Sequence, residues 1–163
     1  MLFRSERAKK RPVNPVKRFK RNPYRRYTIE TGVDYGEWCE PDVESTSAMR
    51  TPQGKVATAF FAYSGRMLAE IAAILGKEDD AAYYSKTAEM AKKAWRFIAT
   101  EDGKISSDRQ ADYVRALAFG LLDGDEARQA AADLNELVKK CGYHLNTVKI
   151  LFGYESSLNS NSN

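Results

Sequence analysis

Cysteine and histidine are nearly absent from this sequence, and their scarcity excludes much chemistry. The chain has two cysteines, Cys39 and Cys141, far apart, and one histidine, His144. Two distant thiols suggest neither a disulfide framework nor a metal knuckle. With one imidazole a zinc site would need an unusual ligand set, so no metal and no cofactor is assigned. No apolar run approaches the ~18 residues of a membrane span. The basic N-terminus has no apolar stretch behind it, so no secretory signal is visible and the cytoplasm is the compartment expected.

The 163 residues are 43% hydrophobic and 29% charged, enough for a single soluble domain with a real core. The net charge of +4 is unevenly spread. Met1 to Arg26 carries eleven Lys/Arg against Glu6 alone, a balance of +10, which leaves −6 for the rest. Pro12, Pro15 and Pro23 interrupt any helix in this arm, and Val13, Val16, Phe19 and Tyr24 are too sparse to build a core. Such an arm, 1–26, could bind nucleic acid or an acidic partner electrostatically, or serve as a solvated connector.

The stretch Asp34-Tyr35-Gly36-Glu37-Trp38-Cys39-Glu40-Pro41-Asp42 fits neither an amphipathic helix nor an alternating strand. It reads as a junction loop between the basic arm and a helical body. Glu37 and Trp38 join a carboxylate that can accept from sugar hydroxyls to a flat ring that can lie against C–H groups. They are the candidate substrate-binding residues; the plainer reading is a buried tryptophan beside solvated acids.

Thr51-Pro52-Gln53 has the chemistry of a helix start. Val56, Phe60, Tyr63, Met67, Ile71 and Ile74 then recur at steps of three or four, which predicts one helix with that stripe as its core face. Gly76 suits a left-handed C-terminal cap. Glu78 to Ala99 predicts a second helix, with Tyr83, Thr87, Ala91, Ala94 and Ile98 on one side. The short join at Gly76-Lys77 folds the pair into an antiparallel hairpin.

Thr100-Glu101-Asp102-Gly103 is a turn, and Ser107 or Asp108 could cap a third helix. Val114, Leu117, Ala118 and Leu121 give it its apolar side. A fourth helix follows Leu122-Asp123-Gly124-Asp125, with Ala127, Ala131, Leu134, Leu137, Val138 and Cys141 inward and Gly142 at its end. The fold class expected is all-α: two antiparallel hairpins, 53–99 and 108–141, behind an extended N-terminal arm. Residues 148–163 form a polar tail, with 156–163 expected to be disordered.

These segments resemble a known family. Tyr35-Gly36-Glu37-Trp38-Cys39-Glu40-Pro41 is similar to the "GDW" or "GEW" loop of the bacterial α-L-rhamnosidases, glycoside hydrolase family seventy-eight. Lys55 to Ser64, Leu68 to Ala72 with Leu75-Gly76-Lys77, Asp102 to Ile105, Gln110, Tyr113 and Ala116 to Leu122 follow in the family's order. Gly142-Tyr143-His144-Leu145-Asn146-Thr147 resembles its "GYHLST" segment.

The resemblance, over about 27–147, implies a sector of an (α/α)6 toroid that cleaves terminal rhamnosides with inversion. Inversion needs two carboxyl groups ~6.5–9.5 Å apart. The family carries its acid upstream of the "GEW" loop and its base downstream of "GYHLST", and neither segment is here. No catalytic residue is therefore assigned, and a fragment inactive alone is expected. Glu37 and Trp38 become sugar contacts by resemblance. Gln110 and Tyr113 face either the pocket or the core, and His144 is expected to be structural. The partner is a carbohydrate rather than nucleic acid or a membrane, with self-association expected through exposed helix faces. The other reading is a helical-hairpin interaction module with a basic arm.

Overall fold

In the computed structural model of this protein, residues 22–29 and 54–145 are described. Four helices account for most of them: α1 (Gly54–Ile74), α2 (Glu78–Ala99), α3 (Gln110–Ala118) and α4 (Gly124–Lys140). A two-stranded antiparallel ribbon, β1 (Thr100–Glu101) and β2 (Lys104–Ile105), joins α2 towards α3.

The joins follow from local chemistry. Gly76 adopts φ 68° after α1, and Lys77 N–H donates to the Ala72 carbonyl at 2.9 Å, closing the helix and turning the chain. The stretch expected to be only a turn is a tight hairpin. Asp102 (φ 51°) and Gly103 (φ 76°) supply the paired left-handed residues that such a two-residue loop requires. The third helix begins two residues later than Asp108, because the Ser107 hydroxyl accepts from Arg109 N–H at 3.2 Å and holds the chain in a turn first. The start expected at Thr51-Pro52 lies outside the described residues.

The two hairpins, α1–α2 and α3–α4, share one core. Ala59, Ala62, Ala91, Trp95, Ile98, Ala99, Ile105, Tyr113, Ala116, Leu121, Leu122 and Ala130 pack as a single cluster, with Tyr27, Phe97, Leu134 and Leu137 against it. Trp95, 2% exposed, is its largest member. At the far edge Lys92 Nζ lies 2.7 Å from Asp123 Oδ1, and Arg96 pairs with Glu126, tying α2 to the start of α4. Residues 22–29 pack on the same body. Asn22 is buried and donates to Thr28 Oγ1 at 2.6 Å, and Ile29 N–H donates to the buried Thr58 hydroxyl at 3.1 Å.

The faces differ from those the periodicity suggested. On α1 the buried positions are Gly54, Val56, Thr58, Ala59, Ala62, Gly65 and Ala72, a small-residue face that meets α2. Of the predicted stripe, Phe60, Met67, Ile71 and Ile74 are exposed, Ile74 at 84%. Close approach of two helices selects small side chains, so the bulky stripe is left pointing elsewhere. Tyr83 on α2 and Val114 on α3 are likewise exposed, whereas Tyr113 and Ala116 are buried. On α4 the fully buried residue is Ala130, not Ala131.

The contrast between α1 and α2 explains the arrangement. α1 carries three charged residues, Lys55, Arg66 and Glu70, in 21 positions, whereas α2 carries eight in 22. A helix apolar nearly all round is built to be enclosed; one with a charged face is built for the outside. Phe119, past the end of α3, covers part of the bulky α1 face, its ring stacked on Tyr63 at 4.4 Å and edge-on to Phe60 at 5.0 Å. Leu68, Ile71, Ile74 and Leu75 remain bare.

Candidate functional site

Two long-range hydrogen bonds gather the start of α1, the segment before α3 and the segment after α4 at one end of the helices. α1 and α3 both begin there, and α2 and α4 both return there. Lys55 Nζ, at the first turn of α1, lies 3.5 Å from Ser106 Oγ in the segment before α3. Gln110 Nε2, at the first turn of α3, donates to the His144 carbonyl at 3.2 Å, beyond the end of α4. The first turn of α1, the segment 106–109 and the segment 141–145 are thereby held together.

Polar side chains fix this end. Ser106 N–H and Oγ both donate to the Ala99 carbonyl, at 2.9 and 3.0 Å. Tyr113 Oη donates to the Ser107 carbonyl at 3.0 Å. Burial pushes the Tyr113 phenol above its ordinary pKa, and the nearby Asp133, Asp112 and Asp108 carboxylates add to the effect. Arg115, 6% exposed, bonds Asp112 Oδ1 at 2.9 Å, and burial lowers its pKa.

Of the two roles open to Gln110 and Tyr113, the structure shows the supporting one: both are buried and bonded to backbone carbonyls. His144 is exposed and contributes its carbonyl. Glu37 and Trp38, and Met1 to Arg21 of the basic arm, lie outside the described residues. Tyr143 carries a signal that sequence reasoning passed over. It is a non-glycine residue at φ 65°, directly after Gly142 at φ 67°.

A groove of about 540 Å³ runs between α1 and α2. Ala62, Ala69, Ala73 and Ala88 form its floor, and Phe119 and Leu121 close one side. It exists because α3, at nine residues, covers only part of the α1–α2 pair. Its rim charges are matched: Arg66 pairs with Glu70 at 3.3 Å and Lys92 with Asp123. Among the described residues no group of three His, Cys, Asp or Glu could hold a metal ion, and no helix is long and apolar enough to cross a membrane.

The comparisons with known proteins point one way. The model of the bacterial alpha-L-rhamnosidase 6 hairpin glycosidase domain matches residues 13–153. An alpha-L-rhamnosidase of Streptomyces avermitilis is 38% identical over 116 residues, 69% of this chain and 10% of that protein. One from Alteromonas sp. is 32% identical over 126 residues, 73% of this chain and 14% of that protein. The crystal structure of the Streptomyces avermitilis alpha-L-rhamnosidase complexed with L-rhamnose superposes with a TM-score of 0.61 at 31% identity, over 73% of this chain and 11% of that one. The native Aspergillus terreus enzyme shares the fold, with a TM-score of 0.64 at 24% identity over 70% of this chain and 14% of that one. The chain thus spans between 10% and 14% of the length of these relatives. Its two helical hairpins are a sector of a six-hairpin ring, and the chain belongs to the bacterial α-L-rhamnosidase six-hairpin glycosidase family.

Proposed function

We propose that this chain supplies part of the substrate-binding wall of an α-L-rhamnosidase catalytic domain, and that it does not hydrolyse rhamnosides unaided. The observation that supports this most is the convergence of the connecting segments at one end, Lys55 on Ser106 and Gln110 on the His144 carbonyl, within a sector matched to the family. A terminal α-L-rhamnoside binds at that end, with Glu37 accepting from its hydroxyls and Trp38 against its C–H face. The acid that protonates the leaving oxygen and the base that activates water come from outside this sector, since inversion needs both.

The bare side of α1 takes an apolar helix of a further hairpin of the same ring, and copies of the isolated chain associate through it instead. Tryptophan fluorescence tests the sugar reading. The chain has two tryptophans, and Trp95 is only 2% exposed, so quenching or a shift on adding L-rhamnose reports on Trp38. A saturable change that disappears in Trp38→Phe supports the proposal; an unchanged spectrum at high L-rhamnose contradicts it.

A further inference from the structure

We infer that Asn22–Ile29 is a latch across the open end of the first hairpin, a preformed unit whose release loosens the start of α1 and the end of α2 without unfolding the rest. At one end these two helices are joined through Gly76 and Lys77; at the other, α1 begins at Gly54 and α2 runs out at Ala99 with no short connection between them. The stretch that the sequence reads as the end of a basic arm lies across that gap. Tyr24 borders a shallow depression with Lys93, Arg96, Phe97 and Thr100, at the last turns of α2. Tyr27 packs against the core cluster, and Ile29 N–H donates at 3.1 Å to the hydroxyl of Thr58, in the second turn of α1.

The shape of the latch is set from within. Asn22 is 5% exposed and uses both ends of its amide: Oδ1 accepts from Tyr24 N–H at 2.8 Å, and Nδ2 donates to Thr28 Oγ1 at 2.6 Å. The Thr28 hydroxyl in turn donates to the Tyr24 carbonyl at 3.3 Å. The 3-10 turn Arg25–Tyr27 between them is closed by Tyr27 N–H on the Tyr24 carbonyl at 2.8 Å and Thr28 N–H on the Arg25 carbonyl at 3.1 Å. A buried amide bonded at both ends specifies one local backbone shape, because other shapes would leave it unsatisfied. Asn22 therefore aims Ile29 at Thr58 without touching either, as a positioning residue.

The latch is held to the body less firmly than the body is held together. Pro23, Arg25, Arg26 and Ile29 are exposed and Tyr27 is half-buried, whereas α1 and α2 meet at Gly65 and Ala88 around the buried Trp95. Segments that bury little apolar surface open at lower cost than the core they rest on. Thr58 is fully buried, so its hydroxyl loses this donor inside the body when the latch opens, and the first turns of α1 loosen next. None of this depends on the rhamnoside reading.

Native-state amide hydrogen exchange of the full chain, followed by NMR, tests the latch. Asn22→Ala should speed exchange at Ile29, Thr58 and Thr100 by about three- to tenfold, the worth of one hydrogen bond, and leave Ala72 and Ala88 within about twofold of the parent. Thr58→Val, which keeps the shape but removes the hydroxyl, should give the same pattern, and Thr58→Ser should restore the parent's rate at Ile29. An unchanged rate at Ile29 in Asn22→Ala overturns the latch. So does acceleration spread evenly to Ala72 and Ala88, which would make Asn22 a contributor to global stability alone.

Discussion

Gly65 of α1 and Ala88 of α2 bring the long helices together so closely that a Cβ built on Gly65 would stand 3.2 Å from the Ala88 Cβ and 3.3 Å from its Cα. Backbone cannot give way as the tip of a flexible side chain can. Gly65→Leu should therefore destabilise the fold by about 1–3 kcal/mol, as overpacking does. Urea unfolding checks this, and a midpoint equal to that of the parent chain would show that the hairpin does not depend on the close approach.

On the opposite side of α1, Ile71 and Ile74 are 48% and 84% exposed. Exchanging both for lysine should change unfolding free energy by no more than about 0.5 kcal/mol per site. It should also abolish concentration-dependent sedimentation of the isolated chain. Loss of folding in this double variant would mean that the face already packs against something within the molecule.

Trp95 is the hub of the core, and its indole N–H has no hydrogen-bond partner among the described residues. Trp95→Phe loses ring volume without breaking a polar contact, whereas Trp95→Ala leaves a cavity and should cost about 3–5 kcal/mol. Denaturation of the two variants side by side should find the phenylalanine change at less than half the cost of the alanine one. Equal costs would point to a hydrogen bond that the geometry does not contain.

The buried Tyr113 phenol makes stability depend on alkaline pH. Its pKa is raised above 10.0 in the folded chain by burial and then by Asp133, Asp112 and Asp108. The folded state therefore holds this proton more tightly than the unfolded one. The resulting stabilisation is complete below the unfolded pKa of ~10 and is lost as pH rises through the folded value. Tyr113→Phe also loses the bond to the Ser107 carbonyl, a cost of about 0.5–1.5 kcal/mol near pH 8. Unfolding measured from pH 8 to 11 should show the parent's advantage shrinking above pH 10; a constant difference would contradict it.

The helices and their joins were legible because Gly76 and Gly142 terminate clear periodic runs. Which face of α1 packs first was not. Periodicity marks a stripe of Val56, Phe60, Met67 and Ile71, but it does not reveal that a partner helix will settle on Ala62, Gly65 and Ala72 instead. The bulky stripe is left largely exposed among the described residues, an outcome that periodicity alone does not signal. The β1–β2 ribbon escaped notice because two residues per strand are too few for alternation to register. The candidate site was legible only through the order of its motifs. The pinning of His144 by Gln110 is a contact between distant parts of the chain, and the left-handed backbone of Tyr143 follows a glycine that already closes the helix, so periodicity signals neither.

The most direct test of the whole account is hydrolysis of p-nitrophenyl α-L-rhamnopyranoside by the purified chain. If, as proposed, the acid and the base come from outside this sector, the chain should release p-nitrophenol no faster than buffer. Steady turnover that survives repurification would contradict the account, because it would require this chain to hold a complete pair of catalytic groups.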